Sequence, residues 1–172
     1  MALLGCGYAP IYTAQERGKL HVVLVHAKVA DAVAADEVLS GLREELAREG
    51  ALEGGAAYPR IEVEVLRLDE SSEGIAARSL SSGAALPLAR GLEVGLVARA
   101  WVVAFEGAQP ERDTGDMRAV DLVSPSMRAD QVTLDASEDV RAHADALRAA
   151  GRRVGVRLAR RVLGHPAASD DR

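Results

Sequence analysis

The single cysteine of this 172-residue chain lies six residues from its start, in the sequence Leu3-Leu4-Gly5-Cys6. A cysteine sulfur is a nucleophile, and small residues beside it fit the narrow cleft of a processing peptidase. One cysteine excludes a disulfide within the chain and a zinc site built from several cysteines. The pattern therefore favours covalent modification of one terminal thiol.

The same four residues resemble the lipobox of bacterial lipoproteins, where a signal peptide is cleaved before the cysteine and the sulfur receives a diacylglycerol. A signal peptide needs a basic region and about 7–15 apolar residues, whereas only five residues precede Cys6. We therefore expect either a start codon placed too far downstream or a chain that begins after most of its signal. Gly7 stands where the enterobacterial sorting rule has an aspartate for inner-membrane retention, which favours the outer membrane. The alternative is an ordinary soluble N-terminus with an incidental cysteine.

A second group of residues that could do chemistry is the arginine-rich stretch near the C-terminus. Residues 138–165 carry seven arginines against three acidic residues, although the net charge of the chain is −5. Arginine forks bind phosphate groups through two hydrogen bonds, so one interpretation of this stretch is a contact with anionic lipid or lipopolysaccharide. The alternative is a solvated face whose cations complement the dipole at a helix C-terminus. The candidate contacts are Arg153, Arg157, Arg160 and Arg161.

The other polar residues suggest no reaction. His21 and His26 are five residues apart and fall on opposite faces of one predicted strand, so they cannot share a metal ion. The sequence has no nucleotide-binding glycine loop and no HExxH, CxxC or GxSxG motif, and we expect no enzyme activity, cofactor or metal. An acidic chain with one basic helix argues against general nucleic-acid binding. No apolar run reaches the roughly 18 residues that a membrane-spanning helix needs.

Hydrophobic periodicity predicts the elements that position these residues, in the order β-α-β-β-β-α. Apolar residues that alternate predict strands, and apolar residues three or four apart predict helices. Residues 69–91, rich in Ser, Gly and Ala, either extend a strand or form a long connection. The predicted strands are 19–29, 60–68, 91–107 and 117–123, and the predicted helices are 31–50 and about 138–163.

The helical patterns also predict which side chains face solvent. In the first helix, Glu44 and Glu45 lie outside the apolar stripe and are expected on a solvated face. In the second helix, Val140 begins an apolar seam and Gly151 permits close packing. Asp135 is a candidate N-cap that forms a capping box with Glu138, and Ser137 is the alternative cap. The strand face around Trp101 is more apolar than a solvated face usually is, so either a partner or a loop covers it.

These elements predict an α+β two-layer sandwich, with a four-stranded, mostly antiparallel sheet and two amphipathic helices on one face. Residues 1–18 are expected to be a lipobox remnant and tether, residues 19–165 a single domain, and residues 166–172 a frayed tail.

In order along the chain come the Cys-Gly-Tyr start at residues 6–8, a valine-rich strand and a helix with the sequence LSGLREELAREG. The alternating strand IEVEVLRL, a long central strand and the arginine-rich helix GRRVGVRLARRVL follow. This pattern resembles the LPS-assembly lipoprotein LptE family across nearly the whole chain. This chain differs from the family at the end of the first strand, where HAKVADAV stands in place of the aromatic and Asn-rich sequence common there.

The resemblance implies a lipoprotein that is not an enzyme, anchored at the periplasmic face of the outer membrane through palmitate-type acyl chains on Cys6. It also implies that the chain plugs or supports a β-barrel partner, LptD, and helps to deliver lipopolysaccharide to the cell surface. One alternative is an accessory or pilot lipoprotein of another envelope transport or secretion complex. Another is a soluble small-molecule-binding domain.

Overall fold

A computed structural model describes residues 18–79, 85–123 and 136–165. It confirms the predicted α+β fold and the predicted order of elements. The elements are β1 (His21–Ala27), α1 (Ala32–Arg48), β2 (Arg60–Ser79), β3 (Ala85–Val103), β4 (Met117–Val123) and α2 (Ala136–Val162).

The four strands form one open sheet in the order β1-β2-β3-β4. β1 runs parallel to β2, while β2 with β3 and β3 with β4 are antiparallel. The parallel pair follows from the chain, because a strand that returns parallel needs a crossover, and α1 supplies it. β1 and β4 are therefore the two edges of the sheet.

Helix α1 begins and ends where local chemistry predicts. Asp31 is its N-cap and accepts hydrogen bonds from the amides of Val33, at 2.8 Å, and Ala34, at 3.2 Å. Gly50 follows the helix with a φ of 68°, a left-handed conformation that glycine adopts without steric cost. The turn satisfies two carbonyl groups that the helix end leaves open.

Both helices pack on one face of the sheet. The alternating residues Ile61, Val63 and Val65 of β2 and Val94 and Leu96 of β3 are fully buried there. The predicted apolar stripe of α1 is buried against them, as is most of the predicted seam of α2. The buried helix residues include Ala35, Val38, Leu39, Leu42 and Leu46 of α1, and Leu147, Val154, Leu158 and Val162 of α2.

The two helices approach each other at glycines. A methyl group added at Gly151 would lie 2.9 Å from the Cβ atom of Glu37, and one at Gly155 would overlap the carbonyl oxygen of Val38. Gly41 of α1 makes the reciprocal approach to the backbone of α2 at Arg152. The close packing predicted at Gly151 therefore involves three glycines on two helices.

Three expectations about individual elements need correction or completion. Within the stretch 69–91, residues 69–79 extend β2 as far as Ser79, and β3 begins at Ala85. Glu45, expected on a solvated face, is only 3% exposed. Val140, expected in the apolar seam, is 68% exposed, because the seam meets the core only further along the helix. Asp135 lies outside the described residues.

The sheet face opposite the helices carries charged side chains. The carboxylate of Glu62 accepts hydrogen bonds from Arg60, at 2.5 Å, and from the indole N–H of Trp101, at 3.0 Å. Lys28 and Glu64 form an ion pair at 2.8 Å on the same face. The hydrogen-bond partner of the Trp101 indole among the described residues is thus a carboxylate of the neighbouring strand.

Candidate functional site

The structure separates the two groups of residues that the sequence singled out. Cys6 lies outside the described residues, so its modification stays a prediction. The four arginines lie in the last turns of α2. Their guanidinium groups face different neighbours, and the anionic contact predicted for them as a set also stays a prediction.

Arg153 and Arg157 are directed toward the edge strand β4. Arg153 donates a hydrogen bond from Nη1 to the carbonyl oxygen of Val120 at 2.8 Å, and its Nη2 lies 3.3 Å from a carboxylate oxygen of Asp121. Arg157 donates to the carbonyl oxygen of Arg118 at 2.6 Å. Both arginines therefore bind main-chain groups of the sheet edge.

Arg160 is directed toward helix α1. Its Nε donates to Oε1 of Glu45 at 2.8 Å, and Arg48 also pairs with the same carboxylate. A buried carboxylate needs such partners, because an unpaired charge is costly to remove from water. The pair joins the C-terminal turns of the two helices and explains why Glu45 is buried.

Arg161 lies beside a cleft at the end of the sandwich where β3 and α2 both end. The cleft has a volume of about 720 Å³. Among the described residues, no hydrogen bond or ion pair engages the guanidinium group of Arg161. The apolar residues that line the cleft are Leu20, Pro59, Val102, Ala104, Val162 and Leu163.

A polar loop before β4 forms the other wall of the cleft, through Glu111, Arg112 and Asp113. Asp113 is paired with Arg99 of β3 and accepts a hydrogen bond from the amide of Gly115 at 2.8 Å. The hydrogen bond from Arg99 holds the pKa of the Asp113 carboxyl below its ordinary value, against the opposing effect of burial. Asp113 therefore stays charged, and Arg99 neutralises it.

Most charges on the open face of the sheet are neutralised in the same way. Arg118 contacts both Asp69, at 3.7 Å, and Glu93, at 2.6 Å, and Arg67 also pairs with Asp69. A face whose cations and anions satisfy one another offers little net field to an incoming anion. The open face is therefore a poorer anion site than the cleft, where Arg161 remains without a partner among the described residues.

No group of three or more His, Cys, Asp or Glu side chains within residues 18–79, 85–123 and 136–165 is arranged to hold a metal ion. His21 is buried, with no hydrogen-bond partner for Nδ1 in that part of the chain. His26 is exposed, and its Nδ1 lies 2.7 Å from the carbonyl oxygen of Val25. Neither of the two described helices is long and apolar enough to cross a membrane.

Sequence reasoning did not find the cleft or the difference between Arg160 and Arg161. The two residues are adjacent on the helix, yet one reaches α1 and the other the end of the sheet. The sequence marked the end of α2 through Gly164, which has a φ of 80°, but it carried no local signal that separates Arg160 from Arg161. The neighbours that they meet, Glu45 of α1 for Arg160 and Val102 of β3 for Arg161, are far away in the chain.

No protein-family model matches the sequence, and no curated protein matches it either. Several solved structures superpose on the chain. A minor lipoprotein of Acinetobacter baumannii aligns over 89% of this chain and 97% of its own, with 11% identity and a TM-score of 0.46.

A protein of Caulobacter crescentus assigned as a lipoprotein covers 83% of this chain and 91% of its own, with 14% identity and a TM-score of 0.43. The rare lipoprotein B of Shewanella oneidensis covers 84% and 91%, with 14% identity and a TM-score of 0.36. Each TM-score is below 0.5, and none of these superpositions assigns a function to the chain.

Proposed function

We propose that this chain is an outer-membrane lipoprotein, acylated at Cys6, that supports a β-barrel partner during lipopolysaccharide assembly at the cell surface. The observation that carries the proposal is the Leu3-Leu4-Gly5-Cys6 sequence around the only thiol. The likeness of the element pattern to the LptE family, with its α+β sandwich, supports it further. The proposal assigns binding and no reaction to the chain.

The position of the first described residue is compatible with such an anchor. Gly18 lies at the cleft end of the sandwich, and a chain from Cys6 to Gly18 spans at most about 40 Å when fully extended. Several acyl chains on one cysteine hold firmly, since each buried methylene contributes about 0.8 kcal/mol. An acylated Cys6 would therefore keep the folded body close to a membrane surface.

The proposal is tested in the native host by mass spectrometry of the N-terminal peptide from fractionated membranes. We expect the mature chain to begin at Cys6 with acyl groups on its sulfur and amino nitrogen, and the Cys6→Ala variant to lose acylation and leave the membrane fraction. Gly7→Ala is the matched control, because it keeps the thiol and should stay acylated. Recovery of the wild-type chain from cytosol with a free thiol would overturn the proposal.

The partner is tested by affinity purification from cross-linked outer membranes. We expect an LptD-like barrel to be retained with the wild-type chain. With the Cys6→Ala variant, we expect the amount of retained barrel to fall as the variant leaves the membrane fraction. Retention of a different envelope complex would replace the lipopolysaccharide-assembly role with that of an accessory or pilot lipoprotein. The absence of any barrel in membranes that contain the acylated chain would contradict the assembly role while leaving the anchor in place.

The anionic contact is tested by charge reversal at Arg157 and Arg161, followed by binding to lipopolysaccharide in detergent. Arg157 is already bound to a carbonyl of β4, and Arg161 is not engaged by any described residue. We therefore expect Arg161→Glu to weaken binding more than Arg157→Glu. Unchanged binding in both variants would remove the arginine-rich helix from the proposed function.

A further inference from the structure

The cleft beside Arg161 has the dimensions and lining of a ligand site. Its volume of about 720 Å³ falls within the range of about 300–1,000 Å³ typical of small-molecule sites. Leu20, Val102, Val162 and Leu163 belong to the hydrophobic core and also line the cleft. The inner part of the cleft is thus continuous with the core, and an alkyl group there would be removed from water.

The rim of the cleft carries cations that the described residues leave without partners. The guanidinium groups of Arg161 and Arg112 have no hydrogen bond or ion pair within that part of the chain. Of the two acidic residues beside them, Asp113 is neutralised by Arg99, which leaves Glu111 against two arginines. A net positive rim above an apolar interior fits an anion that carries a hydrocarbon tail.

The backbone of Arg112 supports a functional role for this rim. Its φ of 50° is the single positive value recorded at a non-glycine residue in the described chain. Such a conformation is costly for a residue with a Cβ atom, and conformations of this kind cluster at ligand sites. The loop holds it between the bridge of Glu111 to Val102 and the pair of Asp113 with Arg99.

We propose that the cleft binds a single-chain anionic amphiphile, with its alkyl chain among Leu20, Val102 and Val162 and its carboxylate or phosphate between Arg161 and Arg112. The cleft volume suits one chain and one headgroup and not a lipid with many chains. The site shares Arg161 with the anionic contact of the proposed function, but it does not depend on acylation at Cys6 and takes a different ligand. Fatty acids and lysophospholipids share the required chemistry.

The test is isothermal titration calorimetry on the full chain produced with Cys6→Ser, so that no covalent acyl group competes for the cleft. The probes are palmitate, palmitoyl-lysophosphatidylglycerol and the uncharged monopalmitoylglycerol, each below its critical micelle concentration. We expect one equivalent of an anionic probe to bind at least tenfold more tightly than the uncharged probe. Binding of palmitate alone identifies a carboxylate ligand, and binding of the lysophospholipid alone identifies a phosphate ligand.

Two variants test the assignment to this cleft. Arg161→Gln should weaken binding of the anionic probe by about 10- to 100-fold, because a charge-assisted hydrogen bond is lost. Ala104→Phe should block the apolar part and abolish binding, while circular dichroism verifies that the variant is folded. Arg141→Gln is the matched control, since this exposed arginine lies about 30 Å away along the same helix.

Three results would overturn the inference. The first is a folded chain that binds neither anionic probe. The second is equal affinity for charged and uncharged probes, which would remove the role of the arginines. The third is binding that survives unchanged in both Arg161→Gln and a folded Ala104→Phe variant. Acylation at Cys6 is measured separately in the native host, so failure here leaves the proposed anchor standing, and the reverse also holds.

Discussion

Arg153 of helix α2 donates a hydrogen bond of 2.8 Å to the main-chain carbonyl of Val120 in the edge strand β4. The next outward carbonyl, that of Arg118, accepts from Arg157 at 2.6 Å, and the amide of Leu122 donates to Asp121 at 3.1 Å. An open sheet edge is a template for pairing with another chain. Side chains therefore occupy three of the main-chain groups of β4 that a foreign strand could otherwise use.

The first prediction concerns this protection of the β4 edge. Arg153→Ala combined with Arg157→Ala should expose two carbonyls to strand pairing, lower the free energy of unfolding by about 1–2 kcal/mol and promote self-association. Urea denaturation and analytical ultracentrifugation measure the two effects. Arg148→Ala is the control, since its partner is only the exposed Asp145 on the same helix. A double variant as stable and as monomeric as the control would contradict the role of these arginines at the edge.

The second prediction concerns the buried carboxylate between the helices. Glu45→Ala removes the acceptor for Arg160 and Arg48 and should lower the free energy of unfolding by about 1–3 kcal/mol, toward the lower end because both arginines can return to water. Glu44→Ala is the matched control, because Glu44 is exposed and should change stability by no more than about 0.5 kcal/mol. Urea unfolding followed through the fluorescence of Trp101 compares the two variants. Equal stability in both would mean that Glu45 is not engaged as the structure shows.

Periodicity predicts most of this fold because each element has one apolar face. The alternation of Ile61 and Val63 with Glu62 and Glu64 assigns both the strand and its two faces. Asp31 and Gly50 indicate the ends of α1 through local backbone chemistry. Each of these signals lies within a few residues, so it can be recognised without knowing which residues are neighbours in the folded chain.

The expectations that failed depend on partners distant in sequence. Glu45 lies at the border of the apolar stripe, and its burial follows from Arg160, which is 115 residues away. Gly155 looks like a poor helix residue until Val38 of the other helix is brought against it. The candidate arginines lie on one helix and look alike in the sequence. Their contacts differ only because α1, β4 and the cleft lie on different sides of that helix.

The third prediction concerns acid. The pKa of Asp113 is lowered in the folded chain by Arg99, so the pair contributes stability above the ordinary carboxyl pKa of about 4 and loses it as pH falls through the lowered value. Arg99→Ala should therefore flatten the fall in unfolding free energy between about pH 5 and pH 2. Urea titrations at each pH measure the slope. Arg148→Ala should keep the wild-type slope, and an unchanged slope in Arg99→Ala would show that the pair does not govern this acid dependence.

The fourth prediction concerns the contact between the two helices. In Gly155→Ala the new methyl group would lie 2.6 Å from the amide nitrogen of Leu42 and would overlap the carbonyl of Val38. These are backbone atoms of α1, which cannot rotate away, so the helices must separate at a cost of about 1–3 kcal/mol. At an unobstructed helix position the same change would stabilise the chain by roughly 0.5–1 kcal/mol. Whether Gly155→Ala lowers or raises the stability therefore shows whether the two backbones are in contact. Gly54→Ala is the control, since nothing lies within 4 Å of its added carbon, and thermal unfolding of both variants makes the comparison. A Gly155→Ala variant that unfolds at or above the wild-type temperature would mean that α1 and α2 do not meet at their backbones.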